Sequence, residues 1–456
     1  MSKDQEIESL KSEVTFLRGE LVKLTALNAS LQARLDRYEN PKNSHNSSIP
    51  PSHDYSRKRK AKSLREVSGK KPGGQSGHEG KTLEMVDNAD EIICHLPAYC
   101  SCCGKDLQDV PANFTERRQE VILPAIKGVY VEHRIFERTC SCGSKTISSF
   151  PAGITPGISY GAGVESLACY LNIRQFVPVG RLKEIFADIF HLPISEGALQ
   201  NSIHRVAQRS IPAYELIRGR AQTSEVSGAD ETGMKVNGQK GWFWTVQGKL
   251  FTFIMASLNR GRQTLDKHFP EGFCRSVLVH DCWRCYLGVP AVAHQICLAH
   301  ILRELNHIYE CYHLKWAVDI KELFIEAITF KKTLTEADYS RALPQKTELE
   351  DRLDQLLETS LDKEKHPLAV AMKKRLIKYR QHIFTFLYYH RVPPDNNGSE
   401  RAIRNVKVKL KVSGQFKSMP GAEAFAILRS VMDTAIKNNI NPLHALTQVN
   451  QLAVQG

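Results

Sequence analysis

The sequence lacks long apolar runs. No stretch approaches the roughly 18 consecutive apolar residues that a membrane-spanning helix needs, so we expect no membrane segment and no membrane partner. The first residues are polar and charged, which is not the pattern of a secretory signal. These features predict a cytoplasmic protein.

Acidic residues are scarce relative to basic ones. The 456 residues include 62 Lys and Arg but only 49 Asp and Glu, which gives a formal net charge of +13. Excess positive charge favours polyanionic partners, nucleic acid above all, because neutralised phosphates release counterions. A nucleoid-associated protein fits this charge. The length allows roughly two to four domains, each with a sizeable core.

Proline is missing from residues 7–37, where apolar residues recur with a period of seven. Two offset series alternate steps of three and four: Leu10, Leu17, Leu24 and Leu31, and Val14, Leu21, Asn28 and Leu35. This seam predicts a leucine zipper over residues 1–39 and a homodimer or larger assembly. Asn28 at a core position favours two strands. A lone amphipathic helix on the body of the protein is the alternative.

The heptad pattern ends at residue 39. Residues 40–90 are rich in Pro, Ser, Asn and Gly, which predicts a flexible linker. Within it, residues 57–71 contain eight bases and one acid. We interpret this stretch as an arm that binds DNA phosphates, although a plain solvated linker is the alternative. The candidate contacts are Arg57, Lys58, Arg59 and Lys60.

Cysteine is present in two short turns that each continue into glycine. The candidate ligands are Cys100 and Cys103, with C-x-x-C spacing, and Cys140 and Cys142, with C-x-C spacing. In a reducing compartment such thiols bind metal or pack more often than they cross-link. We therefore expect one structural Zn²⁺ ion in a domain over residues 91–152, with residues 116–139 forming a β-ribbon. Cys102 in a slipped register, and Cys94 with His95, are alternative ligands.

Residues 153–222 carry apolar residues at helical spacing. A break at "HLPIS" separates two predicted helices, and Ser195 is the candidate N-cap of the second. The pattern is typical of a helix-turn-helix, whose second helix would enter a major groove. An ordinary helical hairpin has the same pattern and remains the alternative.

Two acids lie in a β-rich region. Asp230 is in the first strand of a predicted antiparallel meander, and Asp281 ends the apolar strand in "RSVLVHDCWRCY". An acid directly after a buried parallel strand lies at the carboxyl edge of the sheet, where sites form. Side chains alternate between the two faces of a strand, so only one of Asp230 and Glu231 can join Asp281, and we choose Asp230.

A third acid, Glu400, opens a helix that is predicted to start near residue 397. Three convergent carboxylates repel one another unless cations separate them, so we expect two Mg²⁺ (or Mn²⁺) ions there. Oxygen ligands favour these ions over zinc. Basic residues that follow Glu400 are expected to contact DNA phosphates, with a solvated basic face as the alternative. They are Arg401, Arg404, Lys407, Lys409 and Lys411.

Between Asp281 and Glu400 lie more than a hundred residues with helical periodicity, which is too long for a loop. We expect a helical insertion. Cys297, His300 and Arg303 follow at spacings of three on one helix face, and His300 and Arg303 are expected to contact the active site or DNA. A less favoured alternative is a second zinc site. Its ligands would be Cys282, Cys285, Cys297 and His300.

Four motifs together resemble the insertion sequence 66 family of transposases, which are DDE-type enzymes: "GADETG", "VHDCWRCY", "HQICLAHILREL" and "NNGSERAIRNVKVKLKVSGQFKS". The order of the zipper, "NSSIPPSHD", "GGQSGHEGK" and the cysteine turns is similar too. In this resemblance Asp230 matches the Asp of "DET", Asp281 the second Asp and Glu400 the Glu of "NN..ER". The extra cysteines of "HDCWRCY" and the C-x-C pair depart from the family pattern.

The resemblance implies a ribonuclease-H-like core that cuts and rejoins double-stranded DNA at transposon ends and in the target. It also implies accessory proteins of the same element. The expected function is a DNA transposase that binds terminal inverted repeats and catalyses metal-dependent strand cleavage and strand transfer. Alternatives are a catalytically inactive DNA-binding protein of the same ancestry and a nuclease without strand transfer.

The expected fold class is multidomain α/β. It combines an N-terminal coiled coil, a small zinc-binding domain, a helical (helix-turn-helix-like) domain and a ribonuclease-H-like α/β catalytic core with a helical insertion. The predicted boundaries are 1–39 for the coiled coil, 40–90 for the basic linker, 91–152 for the zinc domain, 153–222 for the helical domain, 223–290 and 395–418 for the two parts of the core, 291–394 for the insertion and 419–456 for a C-terminal helical segment.

Overall fold

A computed structural model describes residues 3–39, 83–151, 153–155 and 157–455. Most of the predicted linker lies outside the described residues, and with it Arg57, Lys58, Arg59 and Lys60. Internal contacts divide the chain into two compact units, residues 1–60 with 129–456, and residues 61–128. None of the helices in the described ranges combines the length and the apolar character that crossing a bilayer requires.

The smaller unit has little regular structure. Its described part, residues 83–128, contains no helix or strand beyond an isolated bridge between Tyr99 and Asp106. The predicted β-ribbon is therefore wrong for this stretch. Val121, Ile122 and Leu123 are all more than two-thirds exposed. Alternation predicts a strand only where one face is buried, and here neither face is.

The first helix of the larger unit is α1 (Lys3–Glu39). The helix itself is confirmed, and its described heptad residues are exposed: Leu10, Val14, Leu17, Leu21, Leu24, Leu31 and Leu35. An exposed apolar stripe needs a covering surface, so self-pairing of α1 stays a prediction.

The unit also contains a small hairpin. It is formed by β1 (Glu137–Thr139) and β2 (Lys145–Ile147), which pair antiparallel. The hairpin encloses Cys140 and Cys142, so the last residues of the predicted ribbon do form a strand.

Four α-helices lie between the hairpin and the main sheet: α2 (Ala162–Cys169), α3 (Val179–Phe190), α4 (Glu196–Arg209) and α5 (Ile211–Thr223). A single wide turn, Tyr170–Arg174, follows α2. The break between α3 and α4 is where the sequence predicts it. Ser195 is confirmed as the N-cap of α4, because its Oγ accepts a hydrogen bond from the Ala198 amide at 3.2 Å.

The main sheet has five strands in the order β5-β4-β3-β6-β7. They are β3 (Val226–Val236), β4 (Gln239–Gln247), β5 (Thr252–Ser257), β6 (Phe273–His280) and β7 (Ala291–Ile296), with the short helices α6 (Gln263–His268) after β5 and α7 (Arg284–Leu287) after β6. The first three strands are antiparallel, which confirms the predicted meander. Asn237 and Gly238 make the β3–β4 turn with positive φ angles of 46° and 77°. β6 is parallel to β3 and β7 is parallel to β6.

Strand β7 lies where the sequence predicts the start of the insertion, so the sheet extends beyond residue 290. The strand contains buried polar residues, which interrupt the apolar pattern that would have predicted a buried strand. Gln295 is fully buried, and its side chain hydrogen-bonds the Phe386 amide and the Ile383 carbonyl. The Thr385 hydroxyl donates to the carbonyl of His294 at 2.7 Å. Those partners come from a distant segment that strand periodicity cannot show.

The helical segment begins after β7. It comprises α8 (Leu298–Tyr312), α9 (Lys315–Lys331), α10 (Pro344–Glu358), α11 (Pro367–Lys378) and the single turns Glu336–Ser340, Arg380–His382 and Thr385–Leu387. Its core joins the sheet, because Val277 and Val279 of β6 pack in the same cluster as Phe324 and Leu353. Leu278 packs in a different cluster, so helices cover both faces of this strand.

Three helices close the chain: α12 (Asn397–Ser413), α13 (Met419–Lys437) and α14 (Pro442–Gln455). Residues between α12 and α13 run beside the end of β3. The Phe416 amide donates to the Lys235 carbonyl at 2.9 Å, and the Asn237 amide donates to the Phe416 carbonyl at 2.8 Å. α13 packs on β5, where Ser430 Oγ accepts the Ile254 amide at 2.8 Å.

Candidate active site

Asp230 and Asp281 lie on neighbouring parallel strands. Gly228 of β3 is paired with Val279 of β6, and two residues further along each strand come Asp230 and Asp281. Asp281 immediately follows β6, at the carboxyl edge of the sheet. Asp230 accepts the amide of Glu231, and Asp281 accepts the amide of Trp283 at 3.0 Å.

Burial and mutual repulsion act on both acids. Burial raises the pKa of Asp230 well above its usual range, and the charges of Glu231 and Asp281 raise it further. Burial, together with the charge of Glu231, raises the pKa of Asp281 to about 6. Each carboxylate is therefore short of positive charge, and a cation beside it would reverse these shifts.

Glu231 has its own partners. Arg260 Nη2 lies 2.9 Å from Glu231 Oε1, and the Tyr286 hydroxyl donates to Oε2 at 2.5 Å. Arg260 also stacks over the Trp283 ring at 4.0 Å. Alternation predicts that Glu231 faces away from Asp281, yet its charge still acts on the pKa of that acid. Sequence reasoning missed Arg260 and Tyr286 as partners of Glu231. The motif "HDCWRCY" does contain Tyr286 and also Trp283, over which Arg260 stacks.

Glu400 lies in the first turn of α12, half-buried against α8. Its Oε1 is 3.6 Å from His300 Nε2 and 3.8 Å from Arg303 Nη2. These separations are too long for hydrogen bonds. Glu400 Oε1 is buried and accepts no hydrogen bond from the described residues, and His300 Nδ1 is unpaired in the same sense. The structure thus brings together Glu400, His300 and Arg303, and leaves one carboxylate oxygen without a hydrogen-bond donor among the described residues.

Asn396 joins α12 to the strand that carries Asp230. Its side-chain amide donates to the Ala229 carbonyl at 2.7 Å, and its backbone amide donates to Cys297 Sγ at 3.2 Å. The Ser399 hydroxyl donates to Asn396 Oδ1 at 2.7 Å. The start of α12 is therefore fixed one residue from Asp230, although more than 160 residues separate them in the sequence.

Two glycines allow this close approach. A Cβ on Gly228 would lie 2.6 Å from Ser399 Oγ, and a Cβ on Gly398 would lie 2.5 Å from Gln247 Nε2. Both distances are shorter than side-chain contacts tolerate. The glycines of "SGADE" and "NNGSER" thus let α12 lie directly against β3 and β4.

A cavity of about 210 Å³ adjoins Asp281. It is lined by Asp281, Cys282, Trp283, His300, Ile301, Glu304 and Arg375. Arg375 donates to Glu304 at 2.7 Å on one wall. His300 neighbours both Glu400 and the cavity that Asp281 lines, so it connects the two acids.

One observation speaks against a metal site here, and the chemistry of the acids speaks for one. Across the described ranges, no group of three or more His, Cys, Asp and Glu residues is arranged to share one metal ion. This holds for the predicted zinc ligands Cys100, Cys103, Cys140 and Cys142 and for the alternative set around Cys297. The three acids share neighbours without forming a closed ligand shell. Their chemistry nevertheless fits hard cations: the donors are oxygens, burial raises the pKa of Asp230 and Asp281, and Glu400 Oε1 accepts no hydrogen bond from the described residues.

Comparison with known protein families places the chain. Residues 157–424, more than half of the sequence, match the model of the transposase IS66 family. The chain belongs to this family. The resemblance seen in the motifs is therefore confirmed, and the matched region contains Asp230, Asp281 and Glu400. Residues 2–84 match a family of unknown function (DUF6444). A search of curated proteins found no match.

Family membership implies a transposase-type nuclease with DNA as its substrate. The matched residues of the transposase span helices α2 to α5, the whole sheet, the helical segment and α12. They do not include α1 or the cysteine turns. α1 lies within residues 2–84, which the second family model matches, whereas the cysteine turns lie in neither matched region.

The basic residues of α12 in the transposase differ in exposure. Arg401, Arg404 and Lys411 are exposed, whereas Lys407 is half-buried and its charge lowers the pKa of Asp230. Lys409 departs from the expected basic surface, because only 9% of it is exposed. It follows the buried Ile403 and Val406 at helical spacing, so it belongs to the inner face of α12.

Both cysteine turns have one hydrogen-bond pattern. The Cys100 amide donates to the Lys105 carbonyl and the Cys140 amide donates to the Ser144 carbonyl, each at 2.8 Å. The glycine after each cysteine pair has a positive φ and donates back to the first cysteine. The second turn is one residue shorter, and the two turns belong to different compact units.

Backbone amides in these turns point at sulfur. Hydrogen bonds from the Cys103 and Cys102 amides and from the Cys103 thiol lower the pKa of Cys100. Hydrogen bonds from the amide and thiol of Cys142 lower the pKa of Cys140. Each turn therefore favours a thiolate, the form that binds metal.

Proposed function

We propose that this transposase binds the terminal inverted repeats of a transposable element, cuts a strand at each end and joins the freed 3′-hydroxyl to target DNA. Asp230, Asp281 and Glu400 are the proposed catalytic acids. One observation carries the assignment: Asn396 hydrogen-bonds Ala229, which ties the helix of Glu400 to the strand of Asp230, opposite Asp281.

We propose a ribonuclease-H-like core for the same region. Counted along the chain, the strands of the sheet lie in the order 3-2-1-4-5, with three antiparallel strands and two parallel ones. Asp230 is on the first of these strands, Asp281 follows the fourth and Glu400 is on a later helix. That distribution is what the family resemblance implies for such a core.

We propose that the three acids hold divalent cations, two Mg²⁺ or Mn²⁺ ions. When bound, such ions supply an activated water or 3′-hydroxyl and neutralise charge on the leaving oxygen. Arg303 and His300 orient the Glu400 carboxylate, and Arg260 and Tyr286 hold Glu231 beside the site.

The exposed bases of α12 complete the proposed substrate surface. Arg401, Arg404 and Lys411 bind phosphates that flank the cut, while Lys407 lies close to Asp230 and meets the reacting strand. Phosphate contacts of this kind position the duplex without reading its sequence.

End recognition is assigned to α3 and α4. A helix-turn-helix places its second helix in the major groove, where side chains read base edges. Gln200 and Asn201 are exposed at the start of α4 and offer amide groups for this purpose. The Ser195 cap fixes where that helix begins.

The catalytic assignment is tested with Asp230→Asn, Asp281→Asn and Glu400→Gln. Each should lower strand cleavage of a transposon-end duplex in Mg²⁺ by roughly 10²-fold or more, since each removes a fixed charge from the site. Binding of the same duplex, measured by gel shift in Ca²⁺, should stay at the wild-type level. Asp266→Asn, an exposed acid paired with Arg262, serves as the matched control and should cleave normally.

The outcomes separate the candidate functions. A wild-type cleavage rate in any of the three variants shows that its carboxylate is wrongly assigned. Pre-cleaved ends supplied with a target plasmid distinguish a transposase, which joins them, from a nuclease that only cuts. Wild-type protein that binds ends without cutting in Mg²⁺ or Mn²⁺ is a catalytically inactive DNA-binding protein.

We further propose that the turn of Cys100 with Cys103 and the turn of Cys140 with Cys142 supply thiolate ligands for structural Zn²⁺. The lowered thiol pKa values of the two turns support this. Metal analysis should give about one zinc per chain, and a Cys100→Ser/Cys103→Ser double variant should lose it. Cys274→Ser, an exposed cysteine of β6, is the control and should keep its zinc. Zinc-free wild-type protein would contradict the proposal.

A further inference from the structure

The cavity that Asp281 lines has an apolar wall and a polar wall. Trp283 and Ile301 contribute apolar surface, while Glu304 and Arg375 contribute an acceptor and a donor side by side. The volume is about 210 Å³, and a cavity of about 150 Å³ is enough to hold a benzene ring. The cavity therefore has room for one planar heterocycle. None of these four side chains has a part in the catalysis proposed above.

Trp283 keeps an accessible ring beside Asp281. The residue is 37% exposed, although tryptophan is highly buried on average, and its backbone amide donates to Asp281 at 3.0 Å. Arg260 stacks over the ring at 4.0 Å but does not line the cavity. The part of the ring that lines the cavity is therefore not the part that Arg260 covers. Accessible aromatic surface of this kind is where unpaired bases stack.

Arg375 and Glu304 retain hydrogen-bonding groups for a ligand. Among the described residues, Arg375 makes its hydrogen bonds through Nη2 alone, to Glu304 Oε2 at 2.7 Å and to Met372 Sδ at 3.2 Å. Its Nη1 is therefore free to donate, and Glu304 Oε1 accepts no hydrogen bond from the same part of the chain. A donor and an acceptor at neighbouring positions match the edge of a nucleobase, which presents both.

The charges around the cavity disfavour a phosphate. The described lining contains two acids, Asp281 and Glu304, against the permanent charge of Arg375. Even a protonated His300 would only balance the two acids, so the cavity offers no excess positive charge to a polyanion. An uncharged planar group with polar edges therefore fits this cavity better than an anion does.

We propose that this cavity receives one unpaired nucleobase of the DNA strand held at the acids, stacked on Trp283 with its edge toward Glu304 and Arg375. The proposal rests on the proposed function, because that function brings a strand to Asp281. A nucleotide whose phosphate is held at Asp281 has its own base close to the adjoining cavity. The base must leave the duplex to enter, since a paired base has its edge occupied and its faces stacked.

The coupling between the Trp283 ring and one base tests the proposal. In a set of transposon-end duplexes, a single base near the cut is removed, one position at a time, and Kd is measured by gel shift in Ca²⁺. At one position, base removal and Trp283→Ala should be non-additive by about 5- to 150-fold in Kd, because each removes the same stacking contact. Trp283→Phe, which keeps a ring, should retain most of this coupling.

Position and a second aromatic residue serve as controls. A general fold defect in Trp283→Ala would weaken the binding of all duplexes alike, so the two changes would be additive everywhere. Tyr309→Ala removes another exposed ring, at the far end of α8 from His300, and should be additive at every position. Additive effects of Trp283→Ala at every position, with end binding intact, overturn the base pocket and leave the proposed function standing.

Glu304→Gln distinguishes a base held in the cavity from a Trp283 ring that wedges into the duplex. A glutamine amide donates as well as accepts hydrogen bonds, whereas a carboxylate only accepts. The four bases, placed in turn at the coupled position, should therefore change their order of affinity in Glu304→Gln. An unchanged order overturns the pocket, since a wedged ring leaves the base edge away from Glu304.

A single-stranded oligonucleotide tests the cavity if the protein binds no transposon ends, in which case the proposed function fails separately. The oligonucleotide needs no end recognition, and its bases are already unpaired. It should quench the tryptophan fluorescence of the wild type more strongly than that of Trp283→Phe. Equal quenching in the two proteins overturns the pocket.

Discussion

Gly228 is the residue that sets how closely α12 approaches the sheet. Added atoms on it would meet Ser399 Oγ at 2.6 Å and Asn396 Oδ1 at 2.9 Å, and both oxygens are fixed by hydrogen bonds. Because Glu400 is the next residue after Ser399, its position depends on this contact. A single missing side chain on β3 thus contributes to the placement of a proposed catalytic group on a distant helix.

Gly228→Ala should therefore weaken catalysis more than folding. Overpacking at a tight contact costs about 1–3 kcal/mol, and a displacement of Glu400 of about 1 Å can lower the rate by about 10²-fold. The free energy of unfolding is measured by urea denaturation and cleavage by the transposon-end assay. Gly228→Ala protein that cleaves at the wild-type rate would show that this contact does not position Glu400.

Gly233→Ala is the matched control on the same strand. No atom lies within 4 Å of a Cβ at Gly233, so the same chemical change meets open space. Both stability and cleavage should stay close to wild type, within about 0.5 kcal/mol for stability.

At this scale the sequence predicts where the proposed acids lie better than it predicts which side chains surround them. Strand patterns place Asp230 and Asp281 at one sheet edge, and family resemblance adds Glu400. Arg260 and Tyr286 could not be predicted, because their contact with Glu231 joins three separate segments. Lys409 is misjudged for a simpler reason: its charge suggests the surface, but helical spacing puts it on the buried face.

Helices and strands occur where the sequence periodicity predicts them if one of their faces is buried. The helices and the β3–β5 meander have clear patterns and are present where expected. Strand β7 was missed because its buried His294 and Gln295 have polar side chains, whose partners come from residues 383–386. Residues 121–123 are three consecutive apolar residues within the predicted ribbon, yet all three are exposed.

Helix α13 contains a buried ion pair that a variant can probe. Arg429 is fully buried, and its Nε donates to Asp433 Oδ2 at 2.9 Å, while its Nη2 lies 2.9 Å from Oδ1. Asp433→Ala would leave the guanidinium uncompensated, so the free energy of unfolding should fall by about 3–5 kcal/mol. Urea denaturation measures the loss.

Removing both charges distinguishes pairing from packing. Arg429→Met with Asp433→Leu fills similar volume without a buried charge, so most of the lost stability should return. If the double variant is no more stable than Asp433→Ala, the loss comes from the shape of the site and the contact of Arg429 with the Ile173 carbonyl.

Assembly is the question at the scale of the whole molecule. The heptad seam of α1 is exposed in the single chain, and the predicted zipper would bury it in a dimer or larger assembly. Leu21 lies on the seam and is 65% exposed, while the neighbouring Val22 lies off it and is 70% exposed. The two positions thus differ in their place on the helix and little else.

Leu21→Glu should therefore lower the assembly mass measured by light scattering, as should deletion of residues 1–39. Val22→Glu places the same charge off the seam and should leave the mass unchanged. If both Leu21→Glu and the deletion keep the wild-type number of chains per assembly, α1 does not form the predicted zipper.

The long separation between Asp281 and Glu400 also bears on synthesis. About 120 residues divide them, and a ribosome adds roughly 5–20 residues per second. A nascent chain therefore spends on the order of 6–24 s with two of its three acids translated and the third still to come. Strands β3 to β7 can pair during that interval, but α12 has not yet docked. The proposed three-acid site therefore cannot be complete until residue 400 has been synthesised.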